Sequence, residues 1–217
     1  TGRIVTLMED RLGDVWIGTN GAGLLKWTMN SINPFQGKLT TYTQKEGLCS
    51  NQIYCLAEDR ESQIWAGSSA GTCRFESKKF MHLNNTDGLT KNKILSILCT
   101  RDKKAWIGTD GGGLIRYSPA DTTFEFFSQP EGLSHNSVWS LFQDKEDDLW
   151  IGLQNGGINR IKLNENSGKL KIETLSVHPE LSNKVIFSIA QDALGRMWFG
   201  TYGSGAICFD PLLHEKD

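Results

Sequence analysis

The sequence predicts an all-β protein, a β-propeller built of four-stranded blades, and three observations carry that prediction. A W-x-G triplet recurs five times in 217 residues, at spacings of 49, 41, 44 and 48. A period of about 40–50 residues marks a repeat architecture. Each period divides into short β-type runs separated by Gly, Asp and Asn turns, and no segment carries a sustained helical stripe.

The triplets are Trp16-Ile17-Gly18, Trp65-Ala66-Gly67, Trp106-Ile107-Gly108, Trp150-Ile151-Gly152 and Trp198-Phe199-Gly200. Six residues before each Trp stand Asp10, Asp59, Thr100, Asp144 and Asp192, with Thr100 the departure. Ten before stands a small residue: Thr6, Cys55, Ser96, Ser140 or Ser188. Six or seven after comes Gly23, Gly71, Gly113, Gly157 or Gly205, then a basic residue in four copies (Lys26, Arg74, Arg116, Arg160) and Cys208 in the fifth. A second motif runs between triplets: Glu46-Gly47-Leu48, Asp87-Gly88-Leu89, Glu131-Gly132-Leu133 and the degraded Pro179-Glu180-Leu181, followed by Asn51, Asn92, Asn136 and Asn183.

Each unit opens on an apolar run such as Ile4-Val5-Thr6-Leu7, then a polar turn, then a second strand ending in W-x-G. A glycine-rich loop such as Asp110-Gly111-Gly112-Gly113 leads to a third strand (Leu114-Ile115-Arg116-Tyr117), and a more polar fourth (Thr123–Phe127) closes the unit. Four such strands make a propeller blade, whose faces are buried only by its neighbours. The boundaries fall near 1–46, 47–87, 88–131, 132–179 and 180–217 of a single propeller segment. The last blade is incomplete, because the tail Asp210–Asp217 is a weak fourth strand. Three arrangements stay open: a segment of a larger propeller, a five-bladed ring with an incomplete blade, or a ring completed by a second copy. The segment is preferred, since no residues precede Ile4 to supply the missing strand.

Composition narrows the function. A net charge of −2 lacks the basic excess of a nucleic-acid binder, and no stretch of 18 uncharged apolar residues spans a bilayer. Cys49, Cys55, Cys73, Cys99 and Cys208 are odd in number and lack C-x-x-C or clustered His, which fits neither a disulfide framework nor a zinc site. Most therefore read as small buried hydrophobes. The chain starts at Thr1 without a leader, so it reads as an excised or processed piece whose compartment its N-terminus does not give.

The periodic Trp residues read as fillers between blades, the following Gly as a site of close approach, and the basic column as a structural pairing with repeated Asp or Glu. Gly67-Ser68-Ser69-Ala70-Gly71 matches G-x-S-x-G, but here it is a copy of the glycine-rich loop without the strand–turn–helix elbow. His82, His135, His178 and His214 occupy unrelated repeat positions. No cofactor, metal or catalytic residue is expected.

The pattern D-x-x-G-x-[VLI]-W-[IF]-G-T-x-x-G-G-L-x-[RK]-[YFW], followed by E-G-L-S-x-N, resembles the two-component regulator propeller repeat. Asp10–Thr19 and Asp192–Thr201 carry its first half, and Trp106–Tyr117 its second. Departures are Trp65-Ala66-Gly67-Ser68-Ser69 with a shorter loop, and Leu153 in place of Thr. The resemblance covers essentially the whole chain. It implies a periplasmic sensor region of a bacterial membrane histidine kinase, often a hybrid kinase–regulator responding to glycan fragments, and usually more than five blades.

In a propeller the E-G-L turns and the glycine-rich loops lie on one face, around the mouth of the channel. Positions that differ between copies there are Asn20, Ser69, Asp110, Gln154 and Tyr202, joined by His135 in its turn. Polar groups with an aromatic suit a sugar-like ligand, while Asn and Asp also simply favour turns. The first strands vary at Val5, Tyr54, Leu95, Trp139 and Phe187. Trp139 either packs between blades or forms a stacking platform. Three functions remain: a non-enzymatic sensor module for a small molecule or oligosaccharide, a protein-interaction scaffold, and a propeller lyase starting from His135 and Asp110. Self-association through edges or faces is an expected partner mode, with no nucleic acid and no membrane contact.

Overall fold

The computed structural model describes residues 2–30, 33, 36–83, 93–164, 170–175, 181 and 183–211. The chain divides into two compact units, residues 1–105 with 118–122, and residues 106–117 with 123–217. Among the described residues, nineteen strands form five antiparallel sheets. The first holds β1 (Arg3–Glu9), β2 (Val15–Asn20), β3 (Leu24–Thr28) and β4 (Lys38–Tyr42). The second holds β5 (Ile53–Glu58), β6 (Ile64–Ser68), β7 (Gly71–Glu76) and β8 (Lys79–Leu83). The third holds β9 (Ile94–Cys99), β10 (Ala105–Thr109), β11 (Leu114–Ser118) and β12 (Thr123–Phe127). The fourth holds β13 (Val138–Gln143), β14 (Asp148–Leu153), β15 (Ile158–Lys162) and β16 (Ile172–Thr174). The fifth has three strands, β17 (Ile186–Gln191), β18 (Met197–Thr201) and β19 (Ala206–Phe209). These are the blades of a β-propeller, the last one having three strands among the described residues. The tail 212–217 and the Asp87-Gly88-Leu89 turn lie outside the described residues.

Four of the five W-x-G Trp residues are anchored at the indole N–H. The indole N–H donates to the Asp six residues earlier: Trp16 to Asp10 at 2.7 Å, Trp65 to Asp59 at 2.8 Å, Trp150 to Asp144 at 2.6 Å and Trp198 to Asp192 at 3.0 Å. Where Thr100 stands in the sequence, the Trp106 indole nitrogen is buried without a hydrogen-bond partner among the described residues. The basic column lies over the rings, Lys26, Arg74, Arg116 and Arg160 being 5.0–5.6 Å from the Trp centroids. Each cation also pairs with a carboxylate: Lys26 with Asp14 (2.6 Å), Arg74 with Glu76 (2.9 Å), Arg116 with Glu125, and Arg160 with Glu173 (3.1 Å). This is the structural pairing read from the repeat, with a cation–π contact added.

The glycine of the triplet is a socket. A Cβ on Gly18 would lie 2.5 Å from Thr6 Cγ2 and 2.8 Å from Ile53 Cγ2 of the next blade. On Gly67 it would meet Cys55 and Ile94, and on Gly152 Ser140 and Ile186. The small residue ten before each Trp is thus small because it faces that glycine in the register, as Ser140 faces Gly152.

The E-G-L motif ends a 3-10 turn rather than a simple loop. Thr43 and Glu46, and likewise Ser128 and Glu131, form capping boxes, and Gly47 and Gly132 take φ of 92° and 109°. Asn51 accepts from the Gln44 N–H through Oδ1, while its carbonyl accepts from the Gly21 and Gly23 N–H groups. Asn136 repeats this with Gln129 and Gly113. The repeated Asn therefore ties the turn to the glycine-rich loop.

Two sequence expectations change. Cys49 and Cys73 form a disulfide, and Cys208 is exposed. The pairing follows from the blade plan: the residue after E-G-L meets the third strand, where Cys49 N–H donates to Cys73 Sγ and Ser134 N–H donates to Asn159 Oδ1. The other change is Trp198, which is 39% exposed whereas the other four triplet Trp residues are at most 1% exposed. Asp192 beside it accepts from Trp198 Nε1, and also from Arg196 and Leu194. These donors hold its carboxyl down at about 2, below the ordinary 3.8. Its stabilising contribution is therefore complete above pH 3.8 and drains away as pH falls toward 2. Asp192→Asn removes that part of the acid sensitivity, read by Trp fluorescence; superposable acid profiles of variant and parent would refute it.

Candidate functional site

The seven positions singled out in the sequence divide between the units. In the first unit Asn20 is exposed at the end of β2 and bridges to Gln52. Ser69 shares a 2.9 Å hydroxyl contact with Ser50, and its N–H donates to the Gln52 carbonyl. Both are thereby engaged in the turn after the first blade.

The second unit brings the other five into one neighbourhood of loops and strand starts. Ser137 links two of them: its N–H donates to His135 Nδ1 at 3.0 Å, and its hydroxyl donates to Asp110 Oδ1 at 3.4 Å. The Ser137 carbonyl accepts from the Gln154 N–H at 3.0 Å. Gln154 in turn accepts from Trp139 Nε1 through Oε1, at 3.4 Å. The Trp139 ring stands edge-to-face on Phe187 at 4.9 Å and 86°. Phe187 stands edge-to-face on Tyr202 at 5.9 Å and 78°. Phe187 is 45% and Tyr202 72% exposed, while Trp139 and Gln154 are half-buried.

The aim of this aromatic set comes from the backbone. In β13 the register passes from Val138↔Leu153 to Ser140↔Gly152, so Trp139 is the extra residue of a β-bulge. Phe187 is the extra residue between Ile186↔Thr201 and Ser188↔Gly200 in β17. Val5 and Tyr54 occupy the same bulge in β1 and β5. A bulge frees a residue from the in-and-out alternation of the strand and re-aims its side chain. The column whose identity varies between blades is thus the column the backbone turns out of the ladder. Phe187 and Ser137 belong to this site and were absent from the sequence candidates. Phe187 had a visible signal as a member of that variable column, whereas nothing in the sequence marked Ser137.

Chemically the neighbourhood offers stacked aromatic edges, an amide, an imidazole whose Nδ1 is occupied, and a carboxylate. Among the described residues no group of three or more His, Cys, Asp or Glu could hold a metal ion. Burial pushes the Cys55 and Cys99 thiols up to about 12, so neither is a ready thiolate. No helix among the described residues is long and apolar enough to cross a membrane.

No curated protein matches the sequence. Among solved structures, the extracellular domain of BT3049 from B. thetaiotaomicron, a proposed hybrid two component system, superposes with a TM-score of 0.78 at 21% identity, over 97% of this chain and 27% of that one. The extracellular domain of BT4673 from the same organism, a proposed one component system, gives 0.76 at 23% identity, over 97% and 30%. Virginiamycin B lyase from Staphylococcus aureus gives 0.66 at 20%, over 97% and 70%. At such identities the likeness is one of fold, and the chain spans about a third or less of the two extracellular domains. The family described as two component regulator propeller matches at residues 1–21, 47–70, 132–155 and 180–203, four copies in register with the W-x-G repeat. With its blades and its repeat motif in register, the chain carries four copies of the repeat described as two component regulator propeller.

Proposed function

We propose that this chain is a non-enzymatic ligand-sensing segment of the periplasmic sensor region of a two-component histidine kinase, with an oligosaccharide as the ligand class. The observation that carries this reading is the linked set Trp139, Gln154, Phe187 and Tyr202 on bulges and loops. Exposed aromatic rings beside amide and carboxylate acceptors suit a sugar, which presents apolar C–H faces and hydroxyls together. The likeness to extracellular domains of two component systems supports the compartment and the role. Signalling through such a segment requires a ligand affinity that differs between two receptor states.

A lyase reading has one favouring observation, the fold likeness to virginiamycin B lyase together with His135 and Asp110 on either side of Ser137. The sensor reading is preferred because the Ser137 N–H donates to His135 Nδ1, which puts the neutral ring's proton on Nε2 and leaves no free ring nitrogen to act as a base.

The test is calorimetric titration of oligosaccharides into the complete periplasmic region and its variants. Trp139→Ala and Tyr202→Ala are each expected to weaken binding about tenfold, equivalent to ~1.4 kcal/mol. Turnover of a bound sugar that is lost in His135→Ala would establish the lyase instead. Absence of any glycan hit alongside a tight protein partner would establish a scaffold.

A further inference from the structure

The turn that leads into a first strand is tied to the glycine-rich loop of its own blade by a backbone link that recurs. The residue just before the strand accepts through its carbonyl from the loop N–H: Gln52 from Ser69 at 3.3 Å, Ser137 from Gln154 at 3.0 Å and Val185 from Tyr202 at 2.9 Å. In two blades a side chain two residues earlier takes the N–H of that same residue. In the second blade it is Ser50, whose Oγ accepts from the Gln52 N–H at 3.0 Å. In the fourth it is His135, whose Nδ1 accepts from the Ser137 N–H at 3.0 Å. The same position is thus filled by a hydroxyl in one blade and by an imidazole in the other. A hydroxyl keeps its lone pairs at every pH, whereas histidine changes charge between pH 5 and 8, and an imidazolium accepts no hydrogen bond.

The surroundings of the imidazole make this difference matter. Ser137 is 4% exposed, so its N–H is largely shielded from any water that could replace the lost acceptor. His135 is itself half-buried and within reach of solvent protons. Its Cβ packs on the fourth blade's loop at Gly156, which brings no charge. A carboxylate meets the turn from the glycine-rich loop of the third blade, where Asp110 Oδ1 accepts from the Ser137 hydroxyl at 3.4 Å. On the turn's own element Glu131 accepts from the Ser128 N–H and hydroxyl. Beyond Ser137 the chain of contacts continues to Gln154, whose N–H is held by the Ser137 carbonyl and whose Oε1 accepts from Trp139 Nε1.

We propose that His135 is a proton-operated latch on this turn. Neutral, with its proton on Nε2, the ring holds the Ser137 N–H. A proton taken from solvent at Nδ1 sets donor against donor, and the imidazolium turns from Ser137 to the Asp110 carboxylate; no bond between heavy atoms changes. Ser137 then lacks its acceptor, its link to Gln154 loosens, and Trp139 loses the fixed position of the Gln154 amide. The sign follows from which form accepts: the latch is closed at pH 8, where the ring is neutral, and opens as pH falls toward 5. Ser50 keeps the corresponding turn of the second blade closed across the same range. This goes beyond the ligand-sensing reading and does not rest on it, because the latch operates without a ligand.

Hydrogen exchange of the complete protein, read by mass spectrometry and corrected for the intrinsic pH dependence of exchange, tests this. Residues 48–53, the turn held by Ser50, are the reference within the same sample. From pH 8 to pH 5 the protection of residues 133–139 should fall about tenfold relative to that reference, the scale of one buried amide left without its acceptor. His135→Ser writes the second blade's hydroxyl into the fourth and should hold the protection at its pH 8 level throughout. His135→Asn is the second variant should the first fold poorly, since an Asn side chain also accepts from the N–H two residues on. His135→Ala should exchange like the open latch at both pH values. A protection ratio in the parent that stays constant between pH 8 and 5 overturns the proposal. So does a pH step that survives in His135→Ser or His135→Asn.

Discussion

Gly152→Ala should destabilise the protein by about 3 kcal/mol, at the top of the range for overpacking a buried site. The added methyl would press on Ser140 Oγ and lie 2.9 Å from both Cβ and Cγ2 of Ile186. Neither neighbour can yield cheaply. Ile186 is fully buried, and the Ser140 hydroxyl is committed to the Ile186 carbonyl at 2.9 Å. Moving either one opens the joint between the fourth and fifth blades, where Trp150, Ile158, Met197 and Phe199 share one core cluster. The same substitution at Gly200 is the internal control. There the three nearest atoms among the described residues all belong to Ser188, which is exposed, so the cost should be at most about 1 kcal/mol. Equilibrium urea unfolding of the two variants reads the difference. Equal costs at the two glycines would mean that the neighbouring Ile does not set the requirement for glycine, and the socket description would fail.

What the sequence made legible is what repeats. Asp, Trp and Gly recur at fixed offsets because one hydrogen bond, one ring and one close approach recur in every blade. The strand order of a blade follows from that spacing alone. Features that depend on pairing between strands were harder to read. A bulge is a mismatch in residue count between two strands, so Trp139 and Phe187 carry no local mark of being turned out of the ladder. The same holds for Cys49 and Cys73, which are 24 residues apart and meet only through the register of a turn with a third strand. Thr43-Gln44-Lys45-Glu46 is the opposite case: a capping box stands in plain view, and the segment still reads as a turn because the 3-10 helix it starts is three residues long. For the candidate site, variability between copies pointed to five residues of one neighbourhood. It missed Ser137, which matters through contacts of its backbone and hydroxyl with residues on either side.

Asp144→Ala should cost about 3 kcal/mol, because one carboxylate closes a turn and satisfies a buried indole together. Oδ1 accepts from the Glu146 and Asp148 N–H groups at 3.0 and 2.8 Å, and Oδ2 accepts from Trp150 Nε1 at 2.6 Å. The two backbone groups are partly buried and can regain water in part. The Trp150 ring is fully buried, so its N–H would be left unpaired with no solvent to replace the lost acceptor. Asp144→Thr sharpens the experiment, since it writes into the fourth blade the residue that the third blade carries at this position, Thr100. In the third blade the Trp106 indole nitrogen is already buried without a hydrogen-bond partner among the described residues, and Arg116 still lies 5.6 Å from that ring. The fold therefore tolerates one such defect, held in place by the cation over the ring and by Phe127 at 5.6 Å. A second defect removes the same stabilisation from another joint, where Arg160 already lies 5.5 Å from the ring and supplies nothing new. Asp144→Thr is expected to match Asp144→Ala in unfolding free energy to within about 1 kcal/mol, because neither side chain offers the indole a charged acceptor. If Asp144→Thr instead unfolded like the parent, the carboxylate–indole bond would not be what holds these rings, and the recurrence of Asp six residues before Trp would need its explanation in the turn alone.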